Sequence, residues 1–126
     1  MKPSASTLRL LLAAWLCFGF MAARAQVIVN EFVAENGASA TDEDGDHPDW
    51  IELLNTTSAD VSLDGWWLSD EPAVPMKWRI PAATLAGRGY LVVFASGKNR
   101  ANPAAVLHTN FQIGRASCRE RVYSSV

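Results

Sequence analysis

The segment Asp49-Trp50-Ile51-Glu52-Leu53-Leu54-Asn55 has the alternating pattern of a half-buried β-strand. Ile51 and Leu53 point to one face and the side chains between them to the other, because successive side chains on a strand alternate. Pro48 favours a strand start at the next residue, and the run Asn55-Thr56-Thr57-Ser58 supplies turn-forming side chains at the end. We therefore expect this strand to pair with several of the short strands that follow it.

Residues 1–25 have the organisation of a secretory signal peptide. Lys2 and Arg9 precede an apolar run from Leu10 to Ala23, and Ala23-Arg24-Ala25 is a small-x-small cleavage site. The run is short for a membrane span, and no later segment is long and apolar enough for one. We expect cleavage before Gln26 and a secreted or cell-surface product with no membrane span after cleavage; a retained N-terminal anchor is the alternative.

The C-terminal residues 113–126 differ in character from the rest of the chain. The run from Ile113 to Val122 matches one reading frame of a common sequencing-library adapter, and it brings three arginines in seven positions. We therefore predict that 113–126 is a non-native tail and that 26–112 is a truncated domain. The alternative is a genuine short basic tail.

The predicted domain, residues 26–112, is strongly acidic. It holds five Lys and Arg residues and twelve Asp and Glu residues, a formal net charge of −7, whereas the whole chain has −2. A negative surface disfavours binding to phosphate backbones, so we expect no nucleic-acid partner. Both cysteines, Cys17 and Cys118, lie outside this domain, which excludes an internal disulfide.

Short apolar segments recur through the domain with turn residues between them. We expect Asp64-Gly65 to close a β-hairpin, and the apolar strand Tyr90–Ala95 to be buried on both faces. No amphipathic helix is recognisable after residue 25. The pattern predicts an all-β sandwich, whose other strands fall at 27–32, 61–63, 66–69, 77–80 and 107–111.

The loop before the central strand carries closely spaced carboxylates. Asp42, Asp44, Asp46 and Asp49 provide the oxygen ligands that Ca²⁺ requires, so we consider a calcium site there. The spacing does not follow an EF-hand, because the sixth position is His47 and the twelfth is not Glu. The alternative is a solvated acidic turn in which Asp49 fixes the start of the next strand.

The sequence contains no recognisable catalytic site. Ser96 lacks the glycine spacing of a nucleophile elbow, and there is no zinc-binding His-Glu-x-x-His or phosphate loop. Glu31 and Glu52 could act as an acid–base pair if their strands were neighbours, but nothing in the sequence forms a substrate site around them. We expect no enzymatic activity, no catalytic residues and no cofactor other than the calcium ion considered above.

Four segments together resemble the lamin tail domain family: 27–32 (VIVNEF), 49–55 (DWIELLN), 63–70 (LDGWWLSD) and 89–93 (GYLVV). The resemblance extends over nearly all of 26–111. Within the family, the sequence is similar to the bacterial secreted form. It implies an immunoglobulin-like β-sandwich, which would be incomplete at the C-terminus, because the family continues with further strands. The family has no established catalytic residues to carry over.

Two functions are consistent with these observations. The first is a non-catalytic interaction module of an exported or cell-surface protein with a protein or surface-polymer partner. The second is an accessory domain of a larger secreted enzyme, either a hydrolase or a spore-coat-H-kinase-like protein, with its catalytic part elsewhere. The residues do not distinguish these two functions.

Overall fold

The computed structural model describes residues 26–113 and 123–125, and these residues form β-strands and loops. This part of the chain contains no helix, and therefore none that could cross a membrane. The predicted all-β class is confirmed. The strands are β1 (Val27–Val33), β2 (Asp49–Asn55), β3 (Val61–Ser62), β4 (Trp67–Ser69), β5 (Trp78–Arg79), β6 (Thr84–Leu85), β7 (Tyr90–Ala95), β8 (Leu107–His108) and β9 (Tyr123–Ser125).

The strands form one larger sheet and two smaller ones. The larger sheet, called the main sheet below, has the order β1-β2-β7-β8, and β8 is parallel to β7 whereas the other neighbours are antiparallel. The smaller sheets are β3-β6 and β5-β4-β9. Strand β2 lies between β1 and β7 over nearly its full length, so the expected central role of the segment 49–55 is confirmed.

Strand β1 contains a bulge that changes which side chains share a face. The register shifts between Val29 and Glu31, so that Phe32 lies opposite the buried Ile51. Simple alternation groups Phe32 with Ile28, but the extra residue of a bulge moves the following side chains to the opposite face. Phe32 therefore faces the core side at the sheet edge, and Ile28 faces outward.

The expectation that Asp64-Gly65 closes a β-hairpin is wrong. Asp64-Gly65 forms a turn, with Gly65 at φ 84° and the Trp66 amide donating to the Leu63 carbonyl at 3.1 Å. However, the flanking strands separate, because β3 pairs with β6 and β4 pairs with β5. The turn is thus a corner between two sheets instead of a β-hairpin.

Strand β7 is buried in its second half only. Val93, Phe94 and Ala95 are buried, whereas Tyr90 is 59% exposed and Val92 40% exposed. The expectation that the whole strand is buried on both faces is wrong, because within the described residues the outer face of the main sheet stays open at Tyr90 and Val92. Apolar composition alone does not reveal which face of a strand is covered.

One core joins all three sheets. The inner side chains of the main sheet pack with those of the smaller sheets and of the loops between them. Two of these loops approach so closely at Gly87 that a Cβ added there would lie 2.3 Å from the Ser58 carbonyl oxygen, so a larger residue does not fit. The core consists of Val27, Ile51, Leu53, Val61, Leu63, Trp66, Leu68, Trp78, Ile80, Leu85, Val93, Ala95, Leu107, Phe111 and Ile113.

The predicted domain limits fall partly outside the described residues. The signal peptide prediction concerns residues 1–25, and most of the tail prediction concerns 114–122, neither of which is described. Ile113 is 2% exposed and belongs to the core. The backbone of β9 pairs antiparallel with β4. Strand pairing does not report the origin of a sequence, so the non-native tail stays a prediction.

Candidate functional site

Three of the four predicted calcium ligands meet around a single ammonium group. Lys98 Nζ lies 2.5 Å from Asp42 Oδ2, 2.6 Å from Asp44 Oδ2 and 2.9 Å from Asp46 Oδ2. The Asp42 side chain is fully buried, whereas Asp44 and Asp46 are partly exposed. The sequence thus identified three residues that converge, but it gave no indication of the lysine between them.

The backbone of the acidic loop explains why these carboxylates converge. Asp42 Oδ1 accepts hydrogen bonds from the amides of Asp44 and Asp46 at 3.0 and 2.9 Å, and Gly45 adopts φ 84°. An aspartate that bonds amides a few residues later stabilises a tight turn without help from secondary structure. The side chains at alternate positions therefore face the same side of the turn.

Asp49 lies apart from this cluster and has a different role. Its Oδ1 accepts hydrogen bonds from the Glu35 amide at 2.7 Å and the Asn36 amide at 3.1 Å. Glu35 has φ 76°, a left-handed conformation that is unfavourable for a residue other than glycine. Asp49 thus fastens the loop after β1 to the start of β2, which is the role that the solvated-turn alternative gave it.

A second set of contacts surrounds Glu43 on the same loop. Arg100 bonds Glu43 and lies 2.7 Å from Asp44, and His108 Nε2 lies 2.9 Å from Glu43 Oε2. Because a carboxylate only accepts, His108 Nε2 carries the proton in this contact. In the neutral ring Nδ1 then accepts from Ser96 Oγ at 2.8 Å. We call this network, formed by Asp42, Glu43, Asp44, Asp46, Ser96, Lys98, Arg100 and His108, the loop clamp.

The electrostatics of the loop clamp favour its charged form. Hydrogen bonds from Arg100 and then Lys98 lower the pKa of Asp44 to about 2. Burial alone would raise the pKa of Asp42, but bonds from Lys98 and from two backbone amides outweigh it and lower the pKa. The pKa of Glu43 is lowered, chiefly by its hydrogen bond with His108, and the pKa of Lys98 is raised by its three aspartates.

Two groups of the loop clamp have the donors of a metal site. The ligand atoms of Asp42, Asp44 and Asp46, and those of Asp42, Glu43 and His108, are close enough to share one ion. Three carboxylate oxygens suit a hard cation such as Ca²⁺. The Lys98 ammonium already lies between the three carboxylates of the first group, so Ca²⁺ would have to displace it. The calcium site stays a prediction.

Ser96, His108 and Glu43 resemble a nucleophile, base and orienting acid, and the sequence analysis missed their proximity. Nothing in the sequence indicated it, since sequence separations of 12 and 65 residues divide His108 from its two partners. His108 is fully buried and stacks on Phe94 with ring centroids 5.4 Å apart. In a catalytic site the histidine must reach the leaving group in order to protonate it. A fully buried ring is closed to such a group. The geometry therefore supports a structural role.

Glu31 and Glu52 are brought together on the open face of the main sheet. They are direct partners in the β1–β2 register, as an acid–base pair would require. Asn30 Nδ2 donates to Glu52 Oε1 at 2.8 Å. The pair lies on a sheet surface instead of in a pocket, so its geometry gives no support to catalysis.

A cleft of about 330 Å³ opens beside the acidic loop, where β2 begins and β7 ends. Its polar lining comes from Glu35, His47, Asp49 and Gln112, and its apolar lining includes the buried Ala95 and Ile113. The His47 Nδ1 lies 3.2 Å from the Ala40 carbonyl, which makes it a donor and leaves Nε2 as an acceptor in the neutral ring. Nothing in the sequence predicted this cleft or the hydrogen bond between His47 and the Ala40 carbonyl.

Asn55 belongs to a glycosylation sequon, Asn55-Thr56-Thr57, but it is fully buried. Its Nδ2 donates to the carbonyls of Ala59, Leu85 and Ala86 at 2.7, 3.1 and 3.1 Å. Its Oδ1 accepts from the amide and hydroxyl of Thr57. The amide therefore joins the loop after β2 to the end of β6, and it is not accessible for modification in the folded domain.

Comparison with known proteins agrees with the fold. The family model described as Lamin Tail Domain matches residues 21–121, which include β1 to β8. No curated protein and no solved structure matches the chain. The match confirms the resemblance seen in the strand motifs, and it brings with it an immunoglobulin-like, non-catalytic domain type. On this match the chain belongs to the lamin tail domain family.

Proposed function

We propose that this chain is a non-catalytic interaction module of an exported protein, and that it binds a protein partner through the outer face of the main sheet. The observation that carries the proposal is an apolar patch on that face. Ile28, Tyr90 and Val92 are 36%, 59% and 40% exposed, and Leu54 lies between β1 and β7 in the same face. We call these four residues the outer patch.

The register makes the outer patch continuous across three strands. Ile28 lies opposite Leu54, and Leu54 lies opposite Tyr90, so the three side chains form one row. Val92 lies in the next row beside Glu52. Contiguous exposed apolar surface with polar side chains around it is typical of protein-binding sites, whereas single exposed apolar residues are not informative. Tyrosine is also among the residues enriched at binding interfaces.

The carboxylates next to the outer patch indicate which kind of partner it would bind. Glu31 and Glu52 lie side by side next to the apolar row. A second copy of this chain would bring the same carboxylates against each other, which costs free energy on association. A partner with apolar side chains and basic residues at the rim fits this surface better than self-association does.

Export is proposed from the first 25 residues, whose charged start, apolar run and cleavage site occur together. The alternative accessory-domain role keeps the same binding function and puts catalysis elsewhere in a longer protein. Recovery of the uninterrupted coding sequence distinguishes the two, since only the second requires a catalytic domain in the same reading frame.

The test compares the unmodified protein with two variants, each expressed as bait in the source cell. One bears Ile28→Ser, Tyr90→Ser and Val92→Thr, and the control bears Val74→Ser and Met76→Ser, which change exposed apolar residues of a loop. We expect the control and the unmodified protein to capture the same extracytoplasmic protein and the outer-patch variant to lose it. Equal capture by all three, or recovery of the chain in the cytoplasm with Met1 intact, contradicts the proposal.

A further inference from the structure

We propose that Asn36 is a deamidation site that the folded acidic loop, residues 36–48, protects, and that its reaction irreversibly loosens the base of that loop. This modification goes beyond the proposed function and does not depend on it. Asn36 is followed by Gly37, and this is the single Asn-Gly pair of the sequence. Asparagine is a chemically labile residue, and a following glycine favours the reaction because it has no Cβ to hinder attack by its own amide.

The reaction needs only the chain itself and water. The Gly37 amide nitrogen attacks the Asn36 side-chain carbon Cγ and loses its proton, and the side-chain nitrogen leaves as ammonia. The product is a cyclic succinimide, which water opens to either aspartate or isoaspartate. In sum, a carboxamide and water give a carboxylate and ammonium, and no oxidant or reductant is involved. The isoaspartate product also has an additional carbon atom in its main chain.

Hydrogen bonds hold both polar atoms of the Asn36 carboxamide. Its Nδ2 donates to the carbonyls of Ala40 and Pro48 at 2.6 and 2.9 Å, and its Oδ1 accepts from the Ser39 amide and hydroxyl at 2.8 and 2.9 Å. The residue is 8% exposed. Attack on Cγ makes the planar carboxamide tetrahedral, and loss of ammonia breaks both Nδ2 bonds. The reaction therefore requires local opening of the loop, which makes it slower in the folded protein.

The attacking residue, in contrast, is not enclosed. Gly37 is exposed, and a Cβ added to it would meet no atom of the described residues within 4 Å. The protection therefore comes from the hydrogen bonds of Asn36 and not from burial of the attacking amide. The same open space means that Gly37→Ala fits the fold, which provides a variant that slows the chemistry without disturbing the loop.

The reaction product cannot replace the contacts of Asn36. The side chain of an aspartate at this position has no N–H, so its carboxylate would face the carbonyl oxygens of Ala40 and Pro48 without a proton to share. The bond to Pro48 connects the two ends of the acidic loop, as do the bonds that Asp49 accepts from backbone amides after β1. Deamidation therefore removes part of the attachment at the base of the loop.

The acidic loop also contacts the outer face of the main sheet. Ser39 Oγ, which donates to Asn36 Oδ1, accepts a hydrogen bond from Trp50 Nε1 at 3.3 Å. Trp50 lies on the same face of β2 as Leu54 of the outer patch, because alternate side chains of a strand share a face. Loosening of the loop would therefore expose more of the Trp50 ring and enlarge the apolar surface of this face.

The first test measures the reaction in the full chain by peptide mapping with mass spectrometry. The protein is incubated in mildly alkaline buffer, either folded or in guanidinium chloride. We expect deamidation at Asn36 to be at least about tenfold slower in the folded protein, because it requires local opening. Asn102 is the internal control, since the nitrogen of Pro103 has no proton to lose and cannot form the ring. Equal rates at Asn36 in the two conditions overturn the proposed protection.

The variant Gly37→Ala tests the chemistry itself. In guanidinium chloride, where the fold no longer matters, the added methyl group should slow deamidation at Asn36 several-fold. An unchanged rate in this variant overturns the assignment of the Gly37 amide as the attacking group.

The last test measures the consequence for the loop with Asn36→Asp, which is one product of the reaction, and Gly37→Ala as the matched control. A glutamate-specific protease cleaves after Glu43 when the acidic loop opens, and after Glu52 when β2 leaves the main sheet. We expect cleavage after Glu43 to be several-fold faster in Asn36→Asp than in Gly37→Ala, and cleavage after Glu52 to be equal in both. Equal cleavage after Glu43, or equal acceleration at both glutamates, overturns the proposed loosening of the loop.

Discussion

Lys98 Nζ lies 2.5 Å from Asp42 Oδ2 although 56 residues separate them in the sequence, and this contact fastens the acidic loop to the segment after β7. The Asp42 side chain is fully buried and Lys98 is 22% exposed. A buried carboxylate without its cation is strongly unfavourable. The pair therefore helps to hold the acidic loop in place, together with the contacts that Arg100 and His108 make with Glu43 and Asp44.

The first prediction concerns the loss of that cation. Lys98→Met should lower the melting temperature by several degrees, because it leaves three clustered carboxylates without their shared ammonium. The matched control is Arg79→Met, which removes an ion pair with Asp64 whose side chains are 58% and 59% exposed and which should contribute little. Thermal unfolding followed by circular dichroism measures both. Equal melting temperatures for the two variants would mean that the loop clamp does not stabilise the fold.

The second prediction is a loss of stability in acid. The folded pKa values of Asp42 and Glu43 lie below 3.8 and 4.5, and that of Asp44 is about 2. A lowered folded pKa gives stability that is present above the unfolded pKa and lost as the pH falls through the folded value. The urea midpoint should therefore fall between about pH 4.5 and about pH 2. The decline should be shallower in Lys98→Met, and a steeper decline in that variant would count against the assignment.

The third prediction concerns calcium at Asp42, Asp44 and Asp46. Lys98 occupies the position between the three oxygens and offsets part of their negative charge, so Ca²⁺ should bind weakly to the unmodified protein. Removal of the ammonium in Lys98→Met should strengthen Ca²⁺ binding by roughly tenfold or more, since carboxylate charge determines affinity at such sites. Isothermal calorimetry on both proteins tests this. If neither folded protein produces heat at millimolar Ca²⁺, the calcium hypothesis fails.

The fourth prediction concerns the buried amide of Asn55. Asn55→Ala removes a donor to three carbonyls and should destabilise the domain by about 3 kcal/mol, because buried polar groups left without partners are costly. Asn102→Ala removes an exposed loop contact with the Ala104 amide and should cost less than about 1 kcal/mol. Urea unfolding of both variants provides the comparison. A similar small loss for both would show that Asn55 is dispensable.

Local patterns predicted the strands better than their arrangement. The alternation in 49–55 predicted β2 and its faces, because a period of two residues can be recognised within a short stretch of sequence. The bulge at Asn30 and Glu31, and the corner at Asp64-Gly65, depend on which strands pair. Pairing of that kind is determined by tertiary packing and is not visible in a short window.

Only the part of the site that is formed by residues close together in the sequence was predictable. Asp42, Asp44 and Asp46 converge because one tight turn holds them, and their spacing in the sequence reflects that turn. Lys98 contacts these three aspartates and His108 contacts Glu43, each across more than fifty residues, and no periodicity links such distant positions. Asp49 has the same side chain, three positions after Asp46, but a different role, because its carboxylate accepts hydrogen bonds from backbone amides after β1.

The most direct test of the proposed interaction role places a photo-crosslinking amino acid at single positions of the protein in its source cell. Tyr90 lies in the outer patch, and Val74 is an exposed apolar loop residue that serves as the control. We predict that position 90 crosslinks one extracytoplasmic protein and that position 74 does not. No crosslinked protein at position 90, or the same product from both positions, would contradict the assignment of the outer patch as the binding surface.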